Sequence, residues 1–98
     1  MAFKVVSPTE YAVLDILRVG REFYGLEMVR RANGALKRGT IYVLLGRMEK
    51  KGLVASRQED APQTPGMPRR LYKITGVGVS ALQAEDVLRA QQGGAQHV

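Results

Sequence analysis

Residues 36–54, LKRGTIYVLLGRMEKKGLV, constrain the fold of this chain more tightly than any other stretch. With a 3.6-residue period laid over them, Ile41, Leu44, Leu45 and Met48 fall on one stripe, the pattern of a half-buried helix. The opposite face is centred on Gly39, Val43, Gly46 and Lys50, with Tyr42 and Arg47 at its edges and Arg38 and Thr40 in the first turn. Small residues rimmed by cations suit close approach to a polyanion. Gly52 is placed as a left-handed glycine that ends the helix, with Leu53 folding back as the apolar contact of such a cap. A helix is therefore expected over residues 38–51.

The segments before it supply the scaffold. Residues 3–6 are a short apolar lead-in, either a strand stub or a piece of helix against a partner. Ser7, Pro8 and Glu10 combine an N-cap serine, proline at the first helical position and a glutamate three residues after the cap, which is a capping box. The helix that follows carries Tyr11, Val13, Leu14, Ile16, Leu17 and Val19, with Asp15 and Arg18 on a narrow polar strip, and ends near Gly20. Residues 21–24 read as a connection. Residues 25–32 read as a second helix with Leu26, Val29 and Ala32 inward, stopped by Asn33-Gly34. Leu36 is an apolar staple before the third helix, and two helices joined by a tight turn, the second one basic, form a helix-turn-helix.

Beyond Gly52, residues 53–59 suit a strand that ends in solvent, and residues 60–68, DAPQTPGMP, are too rich in proline for regular structure. Residues 69–74 alternate, with Arg70, Tyr72 and Ile74 on one side and Leu71 and Lys73 on the other, so the segment is a hairpin with a long tip, and Tyr72 is assigned to the core. Thr75 caps a last helix, in which Val77, Ala81, Ala84 and Leu88 share a face with Leu82 and Val87 beside it. Gly76 and Gly78 weaken its first turn by about 1 kcal/mol each relative to alanine. The expected fold is mainly helical with a small β-hairpin: a winged helix of three helices, a two-stranded wing and a C-terminal helix, forming one domain over residues 1–90 with a flexible tail over 91–98.

The charge is placed unevenly. The chain has a net charge of +6. Nine of its cations lie between Lys37 and Lys73 against three acids, Glu49, Glu59 and Asp60, whereas the rest of the chain carries six of each. All of the excess therefore sits on the third helix and the wing, which points to nucleic acid. Arg38, Lys50, Lys51 and Arg57 are the candidate phosphate binders, with Lys37 as a further cation, while Arg47 and Val43 face base edges or thymine methyls. Tyr42 lies at the border of the buried face, either packing or reaching a phosphate with its hydroxyl. Arg69 and Arg70 are either strand-edge cations or wing contacts to the neighbouring minor groove or backbone.

These residues also resemble a family. Tyr24-Gly25-Leu26-Glu27, the run from Gly39 through Thr40, Ile41, Tyr42, Leu45, Arg47, Met48, Glu49 and Gly52 to Val54, and Arg69-Arg70-Leu71-Tyr72-Lys73-Ile74-Thr75 with Gly78 are similar to the PadR family of bacterial transcriptional regulators, over residues 7–82. The resemblance implies a homodimeric repressor that places its third helix in the major groove of an inverted repeat and dimerises through its last helix. It implies DNA contacts from Arg38, Gly39, Thr40, Tyr42 and Arg47, with Arg69 and Arg70 on the wing. It places the dimer interface on the last helix, at Ala81, Leu82, Ala84, Val87 and Leu88. Two positions depart from the family pattern. Lys37 stands where serine is common, exchanging a cap for a cation, and Gly46 stands where a basic or polar residue is common, removing a side chain from the DNA-facing centre. The closing helix is also short for the family.

Other chemistries have little to stand on. The absence of cysteine removes disulfides, thiolate catalysis and cysteine-based zinc sites. His97 has no second ligand or base near it in sequence. Glu85 and Asp86 diverge on a helix and read as a solvated face, and Gly76-Val77-Gly78 lacks the later glycine or lysine of a phosphate loop. The chain reads as a non-enzyme without cofactor or metal. Residues 1–6 are too short for a signal peptide and no apolar run approaches a membrane span, so a soluble, cytoplasmic, nucleoid-associated protein is expected. Some members of the family respond to small aromatic compounds; a dimer cleft between first and last helices could hold a flat apolar molecule, while the available aromatics, Phe3, Tyr11, Phe23 and Tyr24, are also good core residues and the chain has no tryptophan. The competing class is a winged-helix adaptor whose basic face serves an acidic protein or solubility alone.

Overall fold

The computed structural model describes residues 6–60 and 69–96. The lead-in before Val6, the wing tip from residue 61 to 68, and His97 lie outside the described residues. The elements run α1 (Pro8–Leu17), β1 (Phe23–Tyr24), α2 (Gly25–Arg31), α3 (Ile41–Lys50), β2 (Val54–Gln58), β3 (Arg70–Ile74) and α4 (Gly76–Gln96). This is the winged helix read from the sequence, with one strand more.

The extra strand is β1. The sheet order is β1-β3-β2, all antiparallel, with Phe23 opposite Tyr72 and Tyr24 opposite Leu71. The stretch expected as a connection thus fastens the helical half of the domain to the wing. Tyr72 is buried, as its place in the alternation predicts.

Local chemistry sets most helix ends. At α1 the Ser7 amide donates to Glu10 Oε1 at 2.9 Å and the Glu10 amide donates to Ser7 Oγ at 3.2 Å, the reciprocal pair of a capping box. This helix stops at Leu17, before Val19, which is 69% exposed rather than part of the buried face. After α2, Asn33 (φ 54°) and Gly34 (φ 97°) both take left-handed backbone and turn the chain. The third helix begins at Ile41, three residues later than expected, because the Thr40 amide donates to Lys37 O at 3.2 Å and folds residues 37–40 into a turn of their own. Its end follows the sequence: Gly52 has φ 80°, its amide donates to Glu49 O, and the Leu53 amide donates to Met48 O, both at 3.0 Å. These two bonds are a Schellman motif, with Leu53 buried beneath it.

Val13, Leu14 and Leu17 of α1, Met28 of α2, Ile41, Leu45 and Met48 of α3, and Phe23, Leu53 and Val54 of the sheet side form one core, joined by Leu36 and Leu82. Leu26, Val29, Ala32 and Leu44 pack on it half-buried. Met28, not one of the three residues expected inward, is the one α2 side chain without exposure.

The last helix is joined to the hairpin at Thr75. Its hydroxyl accepts from the Gly78 amide at 3.0 Å and is directed at the carbonyls of Gly52 and Leu53. Gly78 is buried against that joint: a Cβ there would intrude on the Leu53 carbonyl oxygen and lie 2.8 Å from Ile74 Cγ1. The glycine that weakens the helix by propensity is required by the close approach. The helix then runs through Gln96, into the stretch expected as tail, and its 21 residues span about 31 Å. No helix among the described residues is long and apolar enough to cross a membrane.

Candidate nucleic-acid interface

Burial of Ile41, Leu45 and Met48 turns Tyr42, Val43, Gly46, Arg47 and Lys50 outward. Val43 is 64% and Tyr42 52% exposed. Lys37, Arg38, Gly39 and Thr40 precede them in the exposed turn, so every residue predicted for the reading face of this segment reaches solvent. Tyr42 packs and is exposed at once. Its ring lies against Gly25, where a Cβ would stand 2.8 Å from Tyr42 Cε1, and half of the side chain stays open. Gly25 thereby lets the start of α2 hold an aromatic ring of the reading helix; the Tyr24-Gly25 motif was its only trace in the sequence. Neither Gly39 nor Gly46 has anything within 4 Å of an added Cβ, so both leave open space on the surface.

The charges sort into two groups. Arg18, Arg21, Arg31, Lys51, Arg57, Arg69 and Arg89 each pair with a carboxylate. Among the described residues Arg30, Arg70 and Lys73 make no such pair, and neither do Lys37, Arg38, Arg47 and Lys50. These last four are set apart by position. They surround α3, whose first turn contains no acid. Its acid, Glu49, accepts from Ser56 Oγ at 3.0 and 2.9 Å and so ties the helix to β2. A cleft of about 280 Å³ opens at the start of α3, lined by Leu36, Lys37, Thr40, Val43 and Arg47, with Thr9 of α1 across from them. Thr9 had no signal in the sequence, because only the packing of α1 beside α3 brings it there.

Two predicted phosphate binders have other partners. Lys51 Nζ lies 2.6 Å from Glu10 Oε2; the lysine side chain is 38% exposed and the glutamate 3%. Burial raises the affinity of Glu10 for a proton, but the Lys51 hydrogen bond and those from Ser7 outweigh it and hold the carboxyl below its ordinary range. Lys51 is thus the counter-ion of a buried acid that also caps α1. Arg57 forms a fork with Glu22, at 2.7 and 2.8 Å, and approaches Asp60 at 3.4 Å. The hydrogen bonds from Arg57 hold the Glu22 carboxyl low.

The two wing arginines also differ. Arg69 stacks 4.0 Å over the Tyr24 ring and pairs with the buried Glu59 at 3.5 Å. Glu59 accepts the Tyr24 hydroxyl at 2.7 Å and the Arg69 amide at 3.3 Å; the tyrosine bond first, and the Arg69 amide after it, hold its carboxyl low despite burial. The Tyr24 hydroxyl is pushed up in turn. These contacts close the base of the wing. Arg70, exposed, reaches only Ser56 Oγ, at 3.3 Å, among the described residues.

On α4 the residues expected to make a dimer divide. Leu82 is 3% exposed and belongs to the core of its own chain, and Ala81 packs beside it. Ala84, Val87 and Leu88 face outward. The adjacent pair Glu85 and Asp86 is not a solvated face. Asp86 accepts from the Tyr11 hydroxyl at 2.7 Å and from Arg18 at 3.0 and 3.1 Å, and Glu85 pairs with Arg89 at 3.3 Å. Arg18 and then Tyr11 hold the Asp86 carboxyl below its usual range, and Asp86 pushes the Tyr11 hydroxyl up. Of the aromatics expected near an effector, Phe23 is core, Tyr11 and Tyr24 are engaged as described, and Phe3 lies outside the described residues.

The sequence matches the model of the Transcriptional regulator PadR-like family over residues 13–84. No curated protein matches it. Similar solved structures include a PadR family transcription regulator from Clostridium difficile, 26% identical, covering 93% of this chain and 96% of that one at a TM-score of 0.80. A PadR-like transcriptional regulator from Bacillus cereus is 26% identical, with 90% and 86% covered and a TM-score of 0.74. Bacillus subtilis PadR, solved in complex with operator DNA, is 23% identical, with 76% and 44% covered and a TM-score of 0.67, a likeness of fold.

Proposed function

Since this chain belongs to the transcriptional regulator PadR-like family, we propose that it acts as a homodimeric, sequence-specific repressor whose α3 enters the major groove of an inverted repeat. The observation that carries this reading is that, among the described residues, the four cations beside α3 have no carboxylate partner, whereas those of the opposite face are mostly paired and those of the wing are divided, Arg57 and Arg69 paired and Arg70 and Lys73 not. An adaptor that needs only solubility has no use for such sorting, and DNA does: phosphates supply the missing partners. Bacillus subtilis PadR, of the same fold, is seen on operator DNA.

In this reading Lys37, Arg38 and Lys50 hold phosphates, and Arg47 and Val43 face base edges, where a guanidinium can bind guanine in a fork and a valine can contact a thymine methyl. Open space at Gly39 and Gly46 lets the backbone come close. Thr40 and the Tyr42 hydroxyl add polar contacts, and Arg70, with Arg69 behind it, follows the neighbouring backbone or minor groove. Lys51 and Arg57 leave the contact set for structural roles. The domain and its α4 form one unit, with dimerisation through the exposed Ala84, Val87 and Leu88. The place for a small aromatic effector would be the groove of about 350 Å³ between α1, α2 and α4, lined by Pro8, Ala12, Ile16 and Ala32, with Tyr11, Arg31 and Arg89 at its edge already held by contacts within the chain.

Selection of bound sequences from a random duplex pool tests the reading. An inverted repeat is the expected product. Three phosphate cations per protomer, at about 0.9 each, predict a slope of log affinity against log salt of about −5 for the dimer. Binding without salt dependence would overturn DNA recognition in favour of the adaptor.

A further inference from the structure

The apolar hold of the core on α4 ends early. Gly78 and Leu82 are its buried residues, and Val87 and Leu88 on the following turns are exposed. What ties the helix to the domain after Leu82 is polar. Asp86 lies between the Tyr11 hydroxyl and the Arg18 guanidinium, and Arg18 is itself fixed from behind by Asp15 at 2.8 Å. One turn further, Arg89 stacks 3.8 Å over the ring of the same Tyr11 and pairs with Glu85. Both carboxylate oxygens of Asp86 are engaged and the arginine fork is planar, so the cluster fixes direction as well as distance. In free energy such a half-exposed cluster contributes little, and an apolar contact in its place would hold the helix equally well. Its distinctive property is angular.

We propose that Asp86, held by Arg18 and Tyr11, is a positioning residue that sets the angle at which α4 leaves the winged helix and through it the half-site spacing that the dimer accepts. The proposal rests on the homodimer reading above. Over the roughly 15 Å of helix beyond Asp86, a change in tilt of about 15° moves the far end by about 4 Å, close to the rise of roughly 3.4 Å per base pair. Any error in tilt is repeated in the partner by two-fold symmetry, so a loose arm admits several spacings and a fixed one selects among them.

The test compares the full chain with Asp86→Ala and, as a second disruption of the same cluster, Arg18→Ala. Spin labels at positions 30 and 92, on α2 and α4, report the intramolecular arm angle, with labelled chains diluted into unlabelled ones. Affinities for operators whose half-sites are moved by one base pair either way report spacing. The expected result is a narrow distance distribution and one preferred spacing, by about tenfold or more, in the unaltered protein. In the variants the distribution broadens and the three spacings fall within about threefold, while affinity for an isolated half-site is unchanged. A distribution as narrow as that of the unaltered protein overturns the proposal without touching the repressor reading. A broadened distribution with undiminished spacing preference overturns the link to DNA. If the unaltered protein selects a single half-site and no repeat, the homodimer reading fails, and with it the spacing role of Asp86.

Discussion

Replacing Gly78 with alanine should destabilise this protein, against the direction that helix propensity predicts. Inside a helix the exchange gains up to about 1 kcal/mol, because alanine has less backbone freedom to lose. Here the new methyl would collide with the Leu53 carbonyl oxygen and approach Ile74 Cγ1 to 2.8 Å. Both neighbours are fixed, Leu53 by its bond to Met48 at the Schellman cap and Ile74 by its pairing with Val54. The helix must therefore retreat by on the order of 1 Å to restore van der Waals separation. Retreat strains the Gly78 to Thr75 cap bond of 3.0 Å and lifts Leu82 from the core. Overpacking costs about 1–3 kcal/mol and a lost cap about 1 kcal/mol; after the propensity gain, a net loss of about 2 kcal/mol is left. At about 4–8 °C per kcal/mol for a domain of this size, the melting temperature should fall by roughly 10 °C. Gly46→Ala is the control, since nothing stands within 4 Å of its added Cβ, and it should gain about 1 kcal/mol. Thermal and urea unfolding at one protein concentration measures both. A Gly78→Ala variant as stable as the unaltered protein would refute the close approach of α4 to the hairpin.

Other expectations separate contact from support. Lys51→Met should cost about 2 kcal/mol of stability by stranding the Glu10 carboxylate, a figure below that of a fully buried pair because the lysine is half-exposed; the salt slope of DNA binding should not move, and a drop in slope without loss of stability would return Lys51 to the phosphate contacts. Because the Glu10 carboxyl is held below its ordinary value of 4.5, its contribution is complete above that pH and is lost as pH falls through the lower folded value. Glu10→Gln should accordingly flatten the acid limb of a stability profile, and an unchanged limb would assign it to other carboxylates. Arg47→Ala should relax sequence preference by about 1–3 kcal/mol, read from competition between the selected repeat and random duplex. Lys50→Ala should instead weaken both sequences alike and reduce the salt slope by about 0.9 per protomer. Arg57→Ala, already neutralised by Glu22, should leave DNA affinity within about threefold; a loss equal to that of Lys50→Ala would show that Arg57 exchanges Glu22 for phosphate.

The features legible in the chain are those decided within a few residues. The capping box at Ser7, the left-handed turn at Asn33-Gly34, the cap at Gly52 and the alternation around Tyr72 each depend on local backbone chemistry, and each appears where the sequence places it. What escaped depends on partners far along the chain. The strand at Phe23 and Tyr24 exists because β3 offers it a free edge some fifty residues later. Lys51 meets Glu10 across 41 positions of sequence, and Asp86 meets Arg18 across 68. A pattern of charge shows how many cations a segment has and cannot show which of them an acid from elsewhere will claim. The same limit applies to Leu82, whose helical face looked like interface until Leu53 and Ile74 took the preceding turn of α4 against the wing.

The joint at Thr75 has a consequence for how such a chain can change length. One hydroxyl touches the Gly52 and Leu53 carbonyls between α3 and β2 and the first turn of α4, so these parts share a single phase. A residue inserted between Ile74 and Gly76 would turn everything beyond it by about 100° around the helix axis. Gly78 would leave the Leu53 carbonyl, Leu82 would turn to solvent, and Asp86 would face away from Arg18. Additions beyond Gln92 carry no such penalty, since they lengthen the arm without rotating what precedes them. Length is therefore free to drift at the far end of the helix and is locked, to the residue, at its root.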